Sequence, residues 1–214
     1  MAPPIAASVV TDLHRYFNVK AHSDITIILN DRKIHAHKLV LVLSSKFFRA
    51  ALEGGFKEAD ARELSLLDDD PEAMAGLLRY FYGLKPHDAA KEPGIYFDLK
   101  LFAVAGKYDV PDLLAEAENE VQGWLAMNWQ APSFPQVVFD IYESIPAHGA
   151  ELRTAARIVC REHLTDLMLK KDFKETMLGS PELQFDIVKS LAAEERLRQA
   201  KEEHEEERKV RQRV

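Results

Sequence analysis

The sequence has 214 residues and a single cysteine, Cys160, so no disulfide can form within the chain. A chain that does without disulfides is typical of a reducing compartment, and we expect a location in the cytoplasm, the nucleus or both. No apolar run approaches the roughly 18 residues that a membrane helix requires. The first residues also lack the basic segment and the long apolar core of a signal peptide. We therefore expect no membrane partner.

Positive charge is also in short supply. The chain has 28 Lys and Arg against 35 Asp and Glu, which gives a formal net charge of −7. An acidic surface repels a phosphate backbone, so the composition argues against nucleic acid as a partner. The sequence also lacks a Gly-rich phosphate loop and a nucleophile with a base beside it. We expect neither an enzyme nor a cofactor nor a small-molecule substrate, and function must come from binding surfaces.

What the chain does have is enough apolar material for a core, since 47% of its residues are hydrophobic. Ile25 to Leu29 is apolar at nearly every position, which predicts a strand buried on both faces. After the turn at 30–32, Lys33 to Ala36 is the expected partner strand. A short helix should then cover Lys38 to Leu43, and we expect this helix to contribute to the core along its whole length.

The next elements are mostly helical. Ser44 and Ser45 can cap a helix whose apolar stripe includes Phe47 and Phe48, both expected in the core. A short strand is predicted at 63–67, followed by a helix with Asp70 as N-cap and Pro71 at its first position. Apolar residues keep helical spacing through 9–17, 95–108, 111–125, 134–145 and 152–160, around 173–178, and again from 181 onward. Residues 128–133 read as a linker between two parts of the chain.

Five blocks of the sequence resemble the BTB/POZ domain, in that family's order: SDITIIL, IHAHKLVLVLSSKFFRAAL, FKEA, SLLDDDPEAMAGLLRYFYG and FAVAGKYDVPDLLAEAENEV. The resemblance implies an α+β fold over residues 9–126, with a small, mostly antiparallel sheet flanked by helical hairpins. It also implies a protein–protein interaction module rather than a catalyst.

The rest of the chain resembles the all-α, BACK-like extension of fungal BTB proteins, which we expect at 134–192. Residues 1–8 are expected to be disordered. From 193 to 214 the charges are balanced and apolar residues are rare, which predicts a solvated helical tail rather than a coiled coil.

Phe56-Lys57-Glu58 resembles the hydrophobic-x-Glu pattern of BTB domains that bind cullin three. The resemblance implies that Phe56 and Glu58 form a partner-binding edge, and that the protein is a substrate adaptor or scaffold for a cullin-three RING ubiquitin ligase. The alternative for the motif is an ordinary loop whose phenylalanine covers the core. The alternative for the protein is a dimerisation scaffold in transcription-related or structural complexes, with no role in ubiquitination.

Asp24 and Lys38 stand where dimeric BTB proteins carry a charged pair in a groove of the homodimer. The resemblance implies the same role here, and the alternatives are a structural ion pair or an Asp24 that only caps the entry of the strand. His35 and His37 lack the four-ligand set that zinc requires. Capping accounts for the nearby serines better than catalysis does, so we predict no catalytic, cofactor-binding or metal-binding residues.

Overall fold

The computed structural model of the chain describes residues 12–30, 32–54, 61–145 and 149–211. The chain divides into two compact units between Val121 and Gln122. Each unit has a buried apolar core of its own. The predicted class is confirmed: a small sheet with helices, followed by a helical extension.

Strand β1 (Ile25–Ile28) is the centre of a three-stranded sheet with the order β2-β1-β3. It pairs antiparallel with β2 (Lys33–Ala36) and parallel with β3 (Glu63–Ser65). Ile25 and Ile27 are 2% and 0% exposed, whereas the alternate residues of β1 are only half-buried. The prediction of a strand buried on both faces is therefore wrong for the second face, which borders a shallow cavity.

The described residues of the N-terminal unit also form the helices α1 (Lys38–Ser44), α2 (Lys46–Glu53), α3 (Pro71–Phe81), α4 (Ile95–Lys107) and α5 (Pro111–Met127), the last crossing the division between the units. Two predicted caps are confirmed. Ser45 Oγ accepts the Phe48 N–H at 3.2 Å, and Asp70 Oδ1 accepts two N–H groups at the start of α3. Single 3-10 turns lie at Leu13–Tyr16, where a helix was predicted, and at Pro86–Ala89.

Helix α1 contributes to the core on one side only. Leu41 and Val42 are buried, but Leu39 and Leu43 are each 68% exposed. In α2, Phe48 is fully buried while Phe47 is 40% exposed. The expectation that α1 and both phenylalanines build the core is therefore wrong for Leu39, Leu43 and Phe47. A short helix against one neighbouring surface can bury only one face, however apolar its sequence is.

After the end of α5, the described residues of the C-terminal unit form the helices α6 (Phe134–Glu143), α7 (Ala150–Glu162), α8 (Leu164–Leu167), α9 (Lys171–Gly179) and α10 (Pro181–Arg211). Both α7 and α9 pack against α6 and α10. The core of the unit includes Phe134, Val137, Ile141, Leu152, Cys160, Leu167, Phe173, Leu183 and Ile187. In the described part of the chain, no helix has the length and apolar character needed to cross a bilayer.

Candidate functional site

The predicted partner edge, Phe56 and Glu58, lies outside the described residues, which end at Gly54 and resume at Ala61. The structure does describe α2, which ends three residues before Phe56. The contacts that hold α2 are therefore the described contacts that lie nearest to this edge along the chain.

Ser45 fixes the corner between α1 and α2. Its hydroxyl caps α2 and also donates to the carbonyl oxygen of Tyr108 at 2.5 Å. The Tyr108 ring stacks on Phe48 with centroids 5.2 Å apart, and Phe47 meets it edge-on at 4.7 Å. The corner is thus bound to the end of α4 by a buried hydrogen bond and by aromatic packing.

Tyr108 also holds the segment before α3. Its hydroxyl donates to Asp69 Oδ2 at 2.6 Å, and Lys107 Nζ lies 2.7 Å from Asp69 Oδ1. Burial and the hydrogen bond to Asp69 raise the pKa of the Tyr108 hydroxyl well above its ordinary value. The sequence alone did not identify Tyr108 as a residue that joins these segments, because its partners Asp69 and Ser45 are 39 and 63 positions away in the chain.

The structure brings Asp24 and Lys38 together through the backbone. Asp24 Oδ1 accepts the backbone N–H of Lys38 at 2.7 Å, at the first residue of α1. The carboxylate therefore contacts the N-terminus of α1, where it faces the positive end of the helix. Asp24 is exposed, so it remains accessible to a second molecule.

His37 and His35 make separate contacts. Tyr82 Oη accepts the backbone N–H of His37 at 3.0 Å and lies 2.8 Å from its Nδ1. Burial raises the pKa of Tyr82 to about 12, so this hydroxyl stays protonated at neutral pH. His35 Nδ1 lies 3.3 Å from Thr26 Oγ1. Within the described ranges, no three His, Cys, Asp or Glu side chains are grouped as metal ligands would be.

The most exposed apolar feature near these residues is the α1 face, by which we mean Leu39 and Leu43. The two leucines lie one turn apart on the same side of α1. Beside the start of this helix, the Tyr16 ring meets His37 edge-on with centroids 6.2 Å apart, and Tyr16 is itself 44% exposed. Sequence reasoning assigned these leucines to the core. The sequence did contain a signal for this exposure: the seven-residue helix has apolar residues on every side, and one neighbouring surface cannot cover all of them.

Comparison with known proteins agrees with this architecture. The family model of the BTB/POZ domain matches residues 13–123. A BTB/POZ domain-containing protein of Arabidopsis thaliana is 35% identical over 104 residues, which is 49% of this chain and 30% of that protein. BTB/POZ domain-containing protein 9 of Rattus norvegicus is 30% identical over 93 residues, covering 43% of this chain and 15% of that protein.

Among solved structures, the BTB domain of human gigaxonin aligns with a TM-score of 0.43 and 17% identity, covering 55% of this chain and 91% of that one. The two curated relatives are longer proteins: the matched segments cover 30% and 15% of their lengths, so this chain spans less than a third of either.

Proposed function

Since this chain belongs to the BTB/POZ domain family, whose members are protein–protein interaction modules, we propose that it serves as a substrate adaptor or scaffold for a cullin-three RING ubiquitin ligase. Phe56 and Glu58 supply the cullin contact, and the helical extension or its tail recruits a second protein. The proposal draws on the family assignment and on the position of Phe56-Lys57-Glu58 immediately after α2.

The observation that carries an interaction role is the exposed α1 face, with each leucine 68% accessible next to a rigidly held α1–α2 corner. Apolar side chains left exposed beside a rigid scaffold are typical of a surface that a partner covers. An aromatic anchor with a carboxylate beside it suits the same kind of contact.

Titration with the purified cullin-three N-terminal domain tests the cullin contact. We expect wild-type protein to bind, and Phe56→Ala with Glu58→Lys to weaken binding by at least about tenfold, since one anchor and one charge are lost. The matched control is Phe185→Ala with Glu203→Lys, which makes the same chemical changes at exposed positions of α10 and should bind like wild type. No binding by wild type at high micromolar concentration rejects the cullin role. Unchanged binding by the double variant rejects only the site.

A second candidate is a homodimeric scaffold without a role in ubiquitination. The α1 face favours it, because burying the exposed two thirds of each leucine would stabilise a dimer by about 1–2 kcal/mol per side chain, before the entropic cost of association. In this arrangement Asp24, exposed next to the face, and Lys38 line the groove between subunits.

Sedimentation of wild type against Leu39→Glu with Leu43→Glu tests the dimer. We expect a wild-type dimer and a monomeric variant, because burying two carboxylates opposes association. Leu169→Glu with Leu178→Glu is the matched control, since both leucines are 78% exposed and lie in the C-terminal unit. A monomeric wild type at about 100 μM, where even a weak dimer would form, would reject this candidate and the Asp24–Lys38 groove with it.

A further inference from the structure

A groove in the C-terminal unit carries positive charge on an otherwise acidic chain. It lies between α7 and α10 and has a volume of about 740 Å³. Arg157 and Arg161 line it from α7, and Lys189, Arg198 and Lys201 line it from α10. Asp186 and Glu194 are its acidic lining residues, so the lining residues carry a formal charge of +3, which falls to +1 when Glu195 and Glu202, the ion-pair partners of Arg198, are included.

Arg157 is held in place by a hydrogen bond to a buried side chain, and Arg161 lies in a looser ion pair. Arg157 Nη1 donates to Ser190 Oγ at 2.9 Å, and Ser190 is only 8% exposed. Arg161 Nη1 lies 3.8 Å from the nearest Glu194 carboxylate oxygen, beyond hydrogen-bond distance. Arg157 is thus held by a neutral partner, whereas Arg161 is ion-paired with Glu194, which offsets part of its charge.

The remaining cations differ in how far they are neutralised. Arg198 Nη2 lies 2.8 Å from Glu195 Oε1, which offsets its charge. For Lys189 and Lys201, none of the side chains that the structure describes places a carboxylate within 4.0 Å. Between these two lysines, Leu197 is 64% exposed and lines the same groove. The groove thus offers spaced positive charges around an apolar contact.

We propose that this groove binds an acidic peptide segment of a partner protein, with Asp or Glu residues flanking a leucine-sized apolar side chain. From Lys189 to Lys201 the cations extend over about 18 Å of helix. That spacing suits several separate carboxylates better than one compact phosphate, which prefers converging arginines. A long nucleic acid would meet the acidic surface beyond the groove, whereas a short peptide would not.

This assignment does not depend on the cullin contact, because every residue that forms the groove lies in the C-terminal unit. The groove therefore gives the helical extension a recruiting role of its own. A failure of cullin binding would leave it intact, and a failure of peptide binding would leave the Phe56–Glu58 edge intact.

Fluorescence anisotropy with the full-length protein tests the proposal. The probe is a labelled peptide of about 12 residues in which Glu-Glu-Leu repeats, long enough to cover the groove as a helix. The control peptide has Gln for every Glu. We expect the Glu peptide to bind at least about tenfold more tightly than the Gln peptide, and added salt to weaken its binding.

The variant Lys189→Glu with Lys201→Glu should weaken binding of the Glu peptide by at least about tenfold. Both lysines are exposed, so the fold should persist, which circular dichroism checks. Lys171→Glu with Lys174→Glu on α9 is the control, because it makes the same change in net charge outside the groove. It should retain wild-type affinity.

Four results would overturn the proposal. The Gln peptide could bind as tightly as the Glu peptide, or both lysine variants could lose affinity equally, which would show unspecific attraction. Inorganic tripolyphosphate could bind at this groove while the Glu peptide does not, which would identify a phosphate site. The groove variant could dissociate an oligomer of the wild-type protein, which would show that a second copy fills the groove.

Discussion

At the scale of single residues, Ser45 holds more of the N-terminal unit together than its size suggests. Its hydroxyl accepts from Phe48 and donates to Tyr108, and the side chain is 3% exposed. Ser45→Ala removes a helix cap and leaves the Tyr108 carbonyl without its donor. We expect a loss of about 2–3 kcal/mol in the free energy of unfolding, measured in urea. Ser44→Ala is the control, since Ser44 ends α1 and does not cap α2. Equal losses in the two variants would contradict the capping role.

The leucines of α1 give a second test at this scale. Leu41 is fully buried and Leu43 is 68% exposed, two positions later in the same short helix. Leu41→Ala should lower the free energy of unfolding by about 2–5 kcal/mol, because it leaves a cavity in the core. Leu43→Ala should change it by no more than about 0.5 kcal/mol. Similar values for both variants in urea unfolding would show that the two faces of α1 are assigned wrongly.

Asp70 links the stability of α3 to pH. Burial tends to raise the pKa of this carboxyl, but Lys100 and two backbone N–H groups outweigh that effect and hold the pKa below its ordinary value of 3.8. A depressed pKa stabilises the fold above the unfolded-state value, and this contribution is lost as pH falls through the folded-state value.

Asp70→Asn keeps a capping oxygen and removes the charge. The variant should be less stable than wild type at neutral pH, and the difference should shrink as pH falls below about 4. Urea midpoints at several pH values measure this. A difference that stays constant with pH would mean that the charge of Asp70 contributes nothing.

At the scale of elements, the sequence predicts best where the signal is local. The β2 strand and the start of α3 follow from side chains within a few positions of each other, such as Asp70 and Pro71. Which side of α1 is exposed depends on the surfaces that pack against it, and the pattern of apolar residues does not predict those surfaces. Tyr108 likewise acquires its role from Ser45 and Asp69, which only the folded chain brings close. The parallel pairing of β3 with β1 is non-local in the same way.

Helix α10 allows a prediction for an element as a whole. Its core contacts end at Ser190, and each residue from 191 to 205 is exposed. A chain ending at Lys201 should lose helical circular dichroism but keep the wild-type free energy of unfolding in urea, to within about 0.5 kcal/mol. Substituting the buried Ile187 with Ala should lower the free energy of unfolding by about 2–5 kcal/mol. A large loss in the shortened chain would show that the exposed half of α10 supports the core.

At the scale of the whole molecule, two cores predict two units that open separately. Cys160 reports on one of them. It is 0% exposed in the C-terminal unit, and burial raises the pKa of its thiol to about 12. Labelling with a thiol reagent therefore requires that unit to open. Leu167→Ala, in the same core, should speed labelling, whereas Leu41→Ala should not. Equal acceleration by both substitutions would show that the two units open together.

The part of α10 beyond Ser190 also sets the distance between the core of the C-terminal unit and the end of the helix. From Ser190 to Arg211 the helix advances about 30 Å, at about 1.5 Å per residue. A flexible linker of the same length would sample a broad range of separations, but a continuous helix holds its end at nearly one separation and on a fixed side. Removing about seven residues would bring the end closer by about 10 Å and keep its direction, because seven residues make nearly two turns. The length of α10 therefore determines how far the end of the helix lies from this core, and removing whole turns changes that distance without changing the direction.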